Sequence, residues 1–460
     1  MSVKTVSPID GQIVVERPYV ENDQAFACID KAGAVQAVWA DVPVKDRVTL
    51  LGRAVDHMVA HTDDLAREIT LQMGRPISQT PGEIAGMATR ARYMLSIAEE
   101  ALADLPRQAP EGQHHFIRRA PLGVVLVISP WNYPYLTAVN VIIPALAAGN
   151  AVVLKPSAQT PLIGERFAEA FEAAGLPAGL FQCLHLSRET TTAVVRETNI
   201  HHVAFTGSVA GGKEMETAAA GRFLSMGLEL GGKDAAYVRA DADIQAAAEG
   251  LVDGAMFNSG QSCCGIERIY VAAHRYQEFV EACAAIVKGY RLGNPMDLAT
   301  TLGPVVNVAA ASHIRSEIAK AIAAGATPLV DEAAFGMAKA GTPYVAPQIL
   351  VDVDHSMSIM TEETFGPVVG IMPVESDEVA IGLMNDSPYG LTASIWSRDE
   401  AASLKIADKL EVGTVFMNRC DALEPALAWV GVKDTGKGCT LSRYGYDAMT
   451  RPKSFNFKYS

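Results

Sequence analysis

The run Val124-Val125-Leu126-Val127-Ile128 is short and wholly apolar, and it is the first of several such runs that alternate with helical patterns. Runs of this kind are typical of strands buried on both faces of a parallel sheet. Strands are expected at 124–128, 151–154, 181–184, 202–205 and 224–228, with helices at 136–146, 163–174, 191–197 and 209–219. This alternation predicts a doubly wound α/β domain built on a parallel sheet.

The segments on either side extend this prediction. The first hundred residues show helical spacing of apolar side chains. After Gly231-Gly232 the alternation resumes with a strand at 235–238, a helix at 244–256 and a strand at 269–272, which indicates a second α/β domain. Segments 113–119 and 453–458 have a strand-like polar and apolar pattern, which predicts strands outside both domains.

Composition limits the partners of this chain. Its 460 residues, 49% hydrophobic and 20% charged, indicate ordinary globular packing in two or three lobes. The formal net charge of -14 argues against nucleic acid or an anionic membrane as a partner, because both require a basic surface. The start Met1-Ser2-Val3-Lys4 lacks the apolar core of a signal peptide, and prolines and asparagines interrupt the apolar run 122–149, so no membrane span is expected.

Cysteine usage points to one loop. The seven cysteines include no CxxC pair and no histidine at metal-ligand spacing, so we expect a reducing cytoplasm and no metal site. Cys263 and Cys264 are adjacent in the polar loop Phe257-Asn258-Ser259-Gly260-Gln261-Ser262-Cys263-Cys264-Gly265. Because adjacent side chains point in different directions, only one of the two thiols is expected to face a given pocket.

Polar motifs at the ends of expected strands accompany this loop, at the positions where α/β enzymes bind ligands. They are Pro130-Trp131-Asn132-Tyr133-Pro134, Lys155-Pro156-Ser157, Phe205-Thr206-Gly207-Ser208 and Glu229-Leu230-Gly231-Gly232-Lys233, followed by Glu362-Glu363-Thr364-Phe365-Gly366-Pro367. In their order and spacing, over essentially the whole chain, these motifs resemble the aldehyde dehydrogenase superfamily. The resemblance implies an oxidoreductase that converts a small-molecule aldehyde to the carboxylic acid with NAD or NADP.

The chemistry requires a nucleophile, because an aldehyde gives up hydride only after conversion to a tetrahedral adduct, and a thiolate suits that step. The resemblance assigns the nucleophile to Cys263 and leaves Cys264 as a space-filling neighbour. It assigns the oxyanion-binding amide to Asn132, which could alternatively only form a turn, and the general base to Glu229. Since members that transfer the acyl group to coenzyme A lack this glutamate, a hydrolytic, acid-forming enzyme is favoured.

The cofactor motif is unusual, because no GxGxxG sequence follows an expected strand. Gly207 and Ser208 instead stand at a helix start, where backbone N–H groups bind pyrophosphate. The resemblance implies that Lys155 reaches the adenosine ribose and that Glu363 and Phe365 hold the nicotinamide ribose and ring. The expected cofactor contacts are Trp131, Lys155, Ser157, Ala158, Gly207, Ser208, Gly212, Leu230, Glu363 and Phe365.

The choice between NAD and NADP depends on position 158. Members that prefer NAD often carry a glutamate three residues after the motif lysine, whereas this chain has Ala158. Without a carboxylate to repel a 2′-phosphate, Lys155 and Ser157 are free to bind it. NADP is therefore expected to be accepted, and its preference over NAD is left open.

The substrate pocket is expected to be of mixed polarity, with Tyr133, Leu136, Thr137, Arg419 and Leu423 as its candidate residues. Arg419 either binds a substrate carboxylate, as would suit a semialdehyde such as succinate semialdehyde, or lies solvated on the surface. The segment Ala428-Trp429-Val430-Gly431 departs from the Pro-Phe-Gly-Gly of many members. A substrate cannot therefore be transferred from a well-known member.

The resemblance implies three parts. These are an NAD(P)-binding domain at 1–110 and 129–230, a catalytic domain at 231–442, and a small β arm for bridging and oligomerisation at 111–128 and 443–460. Such an arm would build a homodimer or homotetramer. Two alternative functions stay open, a cysteine-dependent esterase and a catalytically silent binding or structural protein on the same scaffold.

Overall fold

The computed structural model describes residues 1–459, and it has a mixed α/β architecture with two large, mainly parallel sheets. The helices that cover the sheets and connect their strands are Asn22–Trp39, Val44–Ala60, Thr62–Met73, Thr80–Ala101, Pro134–Ala147, Leu162–Ala173, Arg188–Glu197, Val209–Ala218, Ile244–Met256, Tyr276–Val287, Val308–Ala323, Ser358–Thr361, Asp377–Asn385, Glu400–Ala407 and Ser442–Ala448.

The first sheet has six strands. Their spatial order is Gly436–Lys437, Ser225–Glu229, His202–Thr206, Val124–Ile128, Ala151–Lys155 and Phe181–Cys183. All neighbours are parallel except the first pair, which is antiparallel. The five strands expected from the sequence are confirmed, and they form the parallel part of this sheet because each is an apolar run that two layers of helices can cover.

The second sheet has seven strands. Their order is Thr327–Pro328, Gln348–Val351, Val368–Val374, Ile266–Ala272, Asp234–Val238, Thr392–Trp396 and Thr414–Met417, and only the first pair is antiparallel. Alternate residues of one central strand enter different cores: Ala236 and Val238 on one face, Ala235 and Tyr237 on the other. Both faces are therefore covered, as the period of two in a strand requires.

The third sheet has three strands, with Gln113–Pro121 between Thr450–Lys458 and Leu105–Arg107. It joins the two segments whose patterns predicted outlying strands. The expected arm boundary at residue 128 is wrong, because Val124–Ile128 pairs with two strands of the first sheet. These residues are apolar and fully buried, so they belong to a covered sheet rather than to an exposed arm.

Two small two-stranded sheets complete the described fold. They pair Ser2–Val6 with Ile13–Pro18 and Tyr389–Gly390 with Val432–Lys433. Among residues 1–459, no helix is both long enough and apolar enough to cross a membrane.

Candidate active site

The loop that holds Cys263 lies between a long helix and a buried strand of the second sheet. It begins with the tight turn Phe257–Gly260, in which Asn258 and Ser259 adopt left-handed backbone angles, with φ of 53° and 56°. Residues other than glycine rarely adopt this conformation, and tertiary contacts must hold it. One such contact is the 2.8 Å hydrogen bond that Ser259 Oγ donates to the carbonyl oxygen of Gly303.

Cys263 lines two cavities, one on each side. The first has a volume of about 280 Å³, and its lining includes Arg90, Tyr133, Leu136, Thr137, Asn140, Glu229, Phe257, Cys263, Cys264, Asp421, Leu423 and Trp429. The second has a volume of about 260 Å³ and is lined by Pro130, Trp131, Asn132, Thr137, Thr206, Gly207, Ser208, Leu230, Gly231, Cys263, Glu363 and Phe365. The thiol is thus the meeting point of two binding spaces.

Glu229 ends a strand of the first sheet and lines the first cavity beside Cys263. Burial raises the pKa of Glu229, and the hydrogen bond from Thr440 opposes that rise. Thr440 Oγ1 donates to Glu229 Oε1 at 2.8 Å. A carboxylate with a raised pKa can accept a proton from a bound water.

Asn132 is buried, with 6% of its surface exposed, and it lines the second cavity. Its Nδ2 donates one hydrogen bond, of 3.1 Å, to the carbonyl oxygen of Gln261 in the cysteine loop. An amide nitrogen carries two hydrogens, so a second donor is left for a substrate oxygen. The bond to Gln261 also ties the amide to the loop of Cys263.

A buried ion pair contacts the backbone of Asn132. Arg75 Nη1 lies 2.6 Å from Glu83 Oε2, and both side chains are almost completely buried. Arg75 also donates to Asn258 Oδ1 at 3.1 Å and to the carbonyl oxygen of Asn132. A buried charge pair with further hydrogen bonds fixes geometry, because losing either partner would leave an uncompensated charge. The sequence analysis missed this support.

Cys264 is buried, and its thiol forms a hydrogen bond with a residue outside its own loop. Its Sγ donates to Asp421 Oδ1 at 2.9 Å. A hydrogen bond with Cys263 and then burial raise the pKa of Cys264 well above its usual range, whereas burial raises the pKa of Asp421 to about 6. Both cysteines line the first cavity, so the expectation that only one could face a given pocket is wrong. The tight loop turns both residues toward the same space.

Glu363 closes the second cavity. Its Oε1 accepts a 2.8 Å hydrogen bond from the backbone N–H of Gly232. Burial and the nearby Glu267 carboxylate raise the pKa of Glu363 to about 7. Gly232 itself must be glycine, because a Cβ there would overlap the carbonyl oxygen of Cys263. The loop of the nucleophile and the loop of Glu363 are therefore packed backbone to backbone.

Aromatic side chains form another wall of the second cavity. The rings of Trp131 and Phe365 meet edge to face, with centroids 5.6 Å apart. Phe365 has a left-handed backbone φ of 53°. Flat apolar surfaces of this kind suit a planar ring.

The glycine-rich helix start lies at the same cavity. Ser208 caps the helix Val209–Ala218, and its Oγ accepts from the N–H of Gly211 at 3.2 Å. Gly207 and Ser208 line the cavity, as does Leu230. Gly212 is not in the lining, and its role is close packing, since a Cβ there would strike the side chain of Leu230.

The other expected cofactor residues lie next to the sheet edge, outside the lining of the second cavity. Lys155 ends its strand, and burial lowers its pKa. Ser157 Oγ accepts from the N–H of Gln159 at 3.2 Å, and the carbonyl oxygen of Ala158 accepts from Thr5 Oγ1 at 2.8 Å. Position 158 is thus held by the N-terminal strand, with a methyl group in place of a carboxylate.

Four of the five expected substrate residues line the first cavity, namely Tyr133, Leu136, Thr137 and Leu423. The fifth, Arg419, does not. Its side chain is exposed, and its backbone oxygen accepts from Ser394 Oγ at 2.8 Å, where the chain turns after a strand of the second sheet. Of the two alternatives for Arg419, the solvated surface position is the observed one.

The sequence analysis missed Arg90 and Asp421, which line the first cavity as Arg75 and Glu83 do and which no motif contains. A signal for Arg90 was present on the helix Thr80–Ala101. Glu83 and Arg90 are seven residues apart, so they share a helix face that is otherwise rich in alanine and methionine. Two charged residues on a largely buried helix face would have indicated a ligand-binding site.

Comparisons with known proteins show which family this chain resembles. A model of the aldehyde dehydrogenase family matches residues 1–455. The geranial dehydrogenase of Castellaniella defragrans is 36% identical over 94% of this chain and 90% of its own. The succinate-semialdehyde dehydrogenase of Paenarthrobacter nicotinovorans is 34% identical over 91% of this chain and 92% of its own.

Solved structures extend the likeness to the fold. NADP-dependent glyceraldehyde-3-phosphate dehydrogenase from Bacillus halodurans, complexed with NADP, superimposes with a TM-score of 0.94 at 30% identity, covering 100% of this chain and 96% of that one. NAD-dependent aldehyde dehydrogenase from Sinorhizobium meliloti gives a TM-score of 0.96 at 30% identity, covering 100% of this chain and 92% of that one. Similar proteins thus include both NADP-dependent and NAD-dependent enzymes.

Proposed function

The chain belongs to the aldehyde dehydrogenase family, and on that premise we propose that it oxidises an aldehyde to the carboxylic acid with NAD or NADP as the hydride acceptor, through a covalent intermediate on Cys263. The observation that carries the proposal is the position of Cys263 at the junction of two cavities. One cavity holds a candidate base, and the other holds groups suited to a nicotinamide cofactor.

In the first step the Cys263 thiolate adds to the aldehyde carbon, and the carbonyl electrons move to oxygen. The free hydrogen of Asn132 Nδ2 stabilises that oxyanion, because its other hydrogen is already bound to Gln261. When bound, the nicotinamide cofactor accepts the hydride with its electron pair. Loss of the hydride leaves the acyl group on sulfur as a thioester.

In the second step a water attacks the thioester carbon. Glu229 takes the water's proton, the carbon–sulfur bond breaks, and the thiolate is restored as the acid leaves. The raised pKa of Glu229 makes it a stronger base than an exposed glutamate. A glutamate at this place supports hydrolysis rather than acyl transfer to coenzyme A.

The residues of the second cavity fit NAD or NADP. Glu363 offers a carboxylate to ribose hydroxyls, the rings of Trp131 and Phe365 offer flat walls, and Gly207 lies at a helix start that suits a pyrophosphate. At the adenosine end, Ala158 brings no negative charge against a 2′-phosphate. We therefore expect NADP to be accepted as well as NAD.

The remaining organisation is also proposed. The three-part division is kept, with the arm formed by Gln113–Pro121 and Thr450–Lys458. Because Thr450–Lys458 lies at the edge of its sheet, it can meet a second copy of the chain, which supports a homodimer or homotetramer. The seven cysteines are all free, which supports a cytoplasmic location.

The test is aldehyde-dependent formation of NADPH or NADH, followed by absorbance, in the wild-type protein, Cys263→Ala and Cys264→Ala. We expect Cys263→Ala to lose turnover and Cys264→Ala to keep most of it. Aldehyde turnover without a cofactor would contradict the proposal and favour the esterase. Unchanged turnover in Cys263→Ala would overturn the mechanism, and no turnover in the wild type would favour a silent scaffold.

The proposed reaction does not by itself specify the class of aldehyde that serves as the substrate. The names of two relatives point to geranial and to succinate semialdehyde, which differ in charge. Arg419, the residue that suggested a semialdehyde from the sequence, is exposed and lies outside the first cavity. Arg90 is the cation that lines this cavity without a close carboxylate partner, so a semialdehyde stays a second candidate.

A further inference from the structure

The first cavity combines apolar walls with two open charged groups. Tyr133, Leu136, Phe257, Leu423 and Trp429 supply the apolar and aromatic surface. Two of its charged residues, Arg90 and Asp421, come from distant parts of the chain, a helix near the N-terminus and a loop near the C-terminus. Polar groups that converge in an otherwise apolar pocket usually determine which ligand binds.

Arg90 is only partly satisfied by the protein. Its Nη1 donates to the carbonyl oxygen of Leu136 at 2.8 Å and to Asn140 Oδ1 at 3.4 Å. Within residues 1–459, neither Nε nor Nη2 of Arg90 has an acceptor, and the side chain makes no ion pair. A guanidinium carries five N–H hydrogens, so several donors remain for a ligand in the cavity.

Asp421 is its acceptor counterpart. One oxygen, Oδ1, accepts the 2.9 Å hydrogen bond from Cys264 Sγ. Among the described residues, Oδ2 accepts none. The residue has a left-handed φ of 46°, so the backbone is held in an uncommon conformation while the carboxylate faces the cavity.

The balance of charges decides among ligands. The cavity is lined by two arginines, Arg75 and Arg90, and three carboxylates, Glu83, Glu229 and Asp421. Arg75 and Glu83 neutralise each other at 2.6 Å. Arg90 is then left with two carboxylates, so the cavity has no net positive charge to favour an anionic substrate.

A hydroxyl group fits both open residues without adding charge, because it donates one hydrogen bond and accepts others. We propose that the first cavity selects an uncharged aldehyde that carries a hydroxyl group, which donates to Asp421 Oδ2 and accepts from Arg90. This inference rests on the proposed function and names its substrate class. A 150 Å³ apolar cavity can hold benzene, so a volume of about 280 Å³ leaves room for a substituted ring or a chain of similar size.

The test compares substituted benzaldehydes that differ in one ring substituent. The 3- and 4-isomers of hydroxymethyl-, methyl- and carboxybenzaldehyde are assayed for kcat/KM with NADP, and propanal serves as a small reference aldehyde. For the better isomer, we expect hydroxymethylbenzaldehyde to exceed both the methyl and the carboxy compounds by about tenfold or more, as one hydrogen bond to a charged group allows.

Variants then identify the groups that are responsible. Asp421→Asn keeps an oxygen for Cys264 and tolerates the left-handed backbone, but it places a donor where the hydroxyl needs an acceptor. Arg90→Gln replaces the other hydroxyl-binding group with a shorter, uncharged side chain. In both variants we expect the hydroxymethyl-to-methyl ratio to fall toward one. The matched control is Arg92→Gln, an exposed arginine of the same helix that pairs with Asp56, and its ratio should match the wild type.

The outcomes separate the two proposals. Oxidation of propanal with equal kcat/KM for the methyl and hydroxymethyl compounds would overturn the hydroxyl subsite and leave the dehydrogenase function standing. A best rate with carboxybenzaldehyde would replace the subsite with an anion site and favour a semialdehyde. Failure to oxidise any of the aldehydes would remove both proposals, and a ratio that survives Asp421→Asn would remove the role of Asp421.

Discussion

The two cavities that meet at Cys263 are built in different ways. The second cavity is made largely by motif residues at the ends of strands, and part of its wall is backbone, at Gly207 and Gly231. The first cavity is made by side chains from separate helices and loops, including Arg90 and Asp421. A cofactor shared by many enzymes can be bound by a fixed backbone, whereas a particular substrate requires particular side chains.

Because the two cavities are built differently, substitutions in each are expected to impair different steps of the reaction. Changes in the first cavity should alter acyl chemistry and aldehyde selection, whereas changes around the second should alter the use of the cofactor. A variant on one side that changed both sets of constants equally would break the distinction.

The largest effect is expected for Glu229→Gln on the substrate side. Without a base for the water, steady-state turnover should fall by about 1,000-fold. Cys263 should still form the thioester, so a stopped-flow trace should show a burst of NADPH near one equivalent, followed by almost no further formation. A variant without a burst would mean that Glu229 is needed before the thioester forms.

The next effect concerns the adenosine end of the cofactor. Ala158→Glu places a carboxylate where a 2′-phosphate would bind, and like-charge repulsion should lower kcat/KM for NADP by about 100-fold. The rate with NAD should change far less. Ala158→Gln is the uncharged control of the same length, and a loss of NADP activity as large as that of Ala158→Glu would show that size, rather than charge, is responsible.

A smaller effect is expected for Glu363→Gln on the cofactor side. The amide keeps one oxygen for the Gly232 N–H but loses the charged acceptor for ribose hydroxyls, so KM for NADP should rise by about tenfold. The KM for the aldehyde should stay within the error of the measurement. Initial rates over a grid of both substrates give the two constants separately, and a parallel rise in both would contradict the assignment of Glu363 to the cofactor.

The smallest effect is expected for Thr440→Val. The hydrogen bond from Thr440 lowers the pKa of Glu229 and opposes the effect of burial. Its removal should raise that pKa further, and the acid limb of the kcat profile should move to higher pH by roughly one unit. Thr440→Ser keeps the hydroxyl and should keep the wild-type profile. If the acid limb of the Thr440→Val profile does not move, Glu229 is not the group whose protonation sets that limb.

The same contrast explains what the sequence could predict. The five parallel strands of the first sheet were predicted because each is a separate apolar run bounded by turn residues. The residues of the second cavity were predicted because strand ends carry recognisable motifs. Gly212, Lys155, Ser157 and Ala158 lie outside the lining of that cavity, and the packing of Gly212 against Leu230 depends on tertiary structure that no motif encodes.

The first cavity was only partly predictable. Tyr133, Leu136 and Thr137 lie within or just after a motif, and all three line the first cavity. Arg419 also lies next to a motif residue, but the turn after the strand carries it to the surface. Asp421, only two residues further on, lines the cavity and has a left-handed φ of 46°, and no local pattern in the sequence distinguishes these two positions.

The contact between Gly232 and the carbonyl oxygen of Cys263 has a consequence for how the sequence can vary. Any side chain at position 232 would have to displace the peptide that carries the nucleophile, and smaller compensating changes elsewhere cannot make room between two backbones. In a saturation library selected for aldehyde oxidation, glycine should therefore be the one residue recovered at 232. Substitutions that change the substrate are therefore expected in the first cavity, whose walls are side chains that can be exchanged.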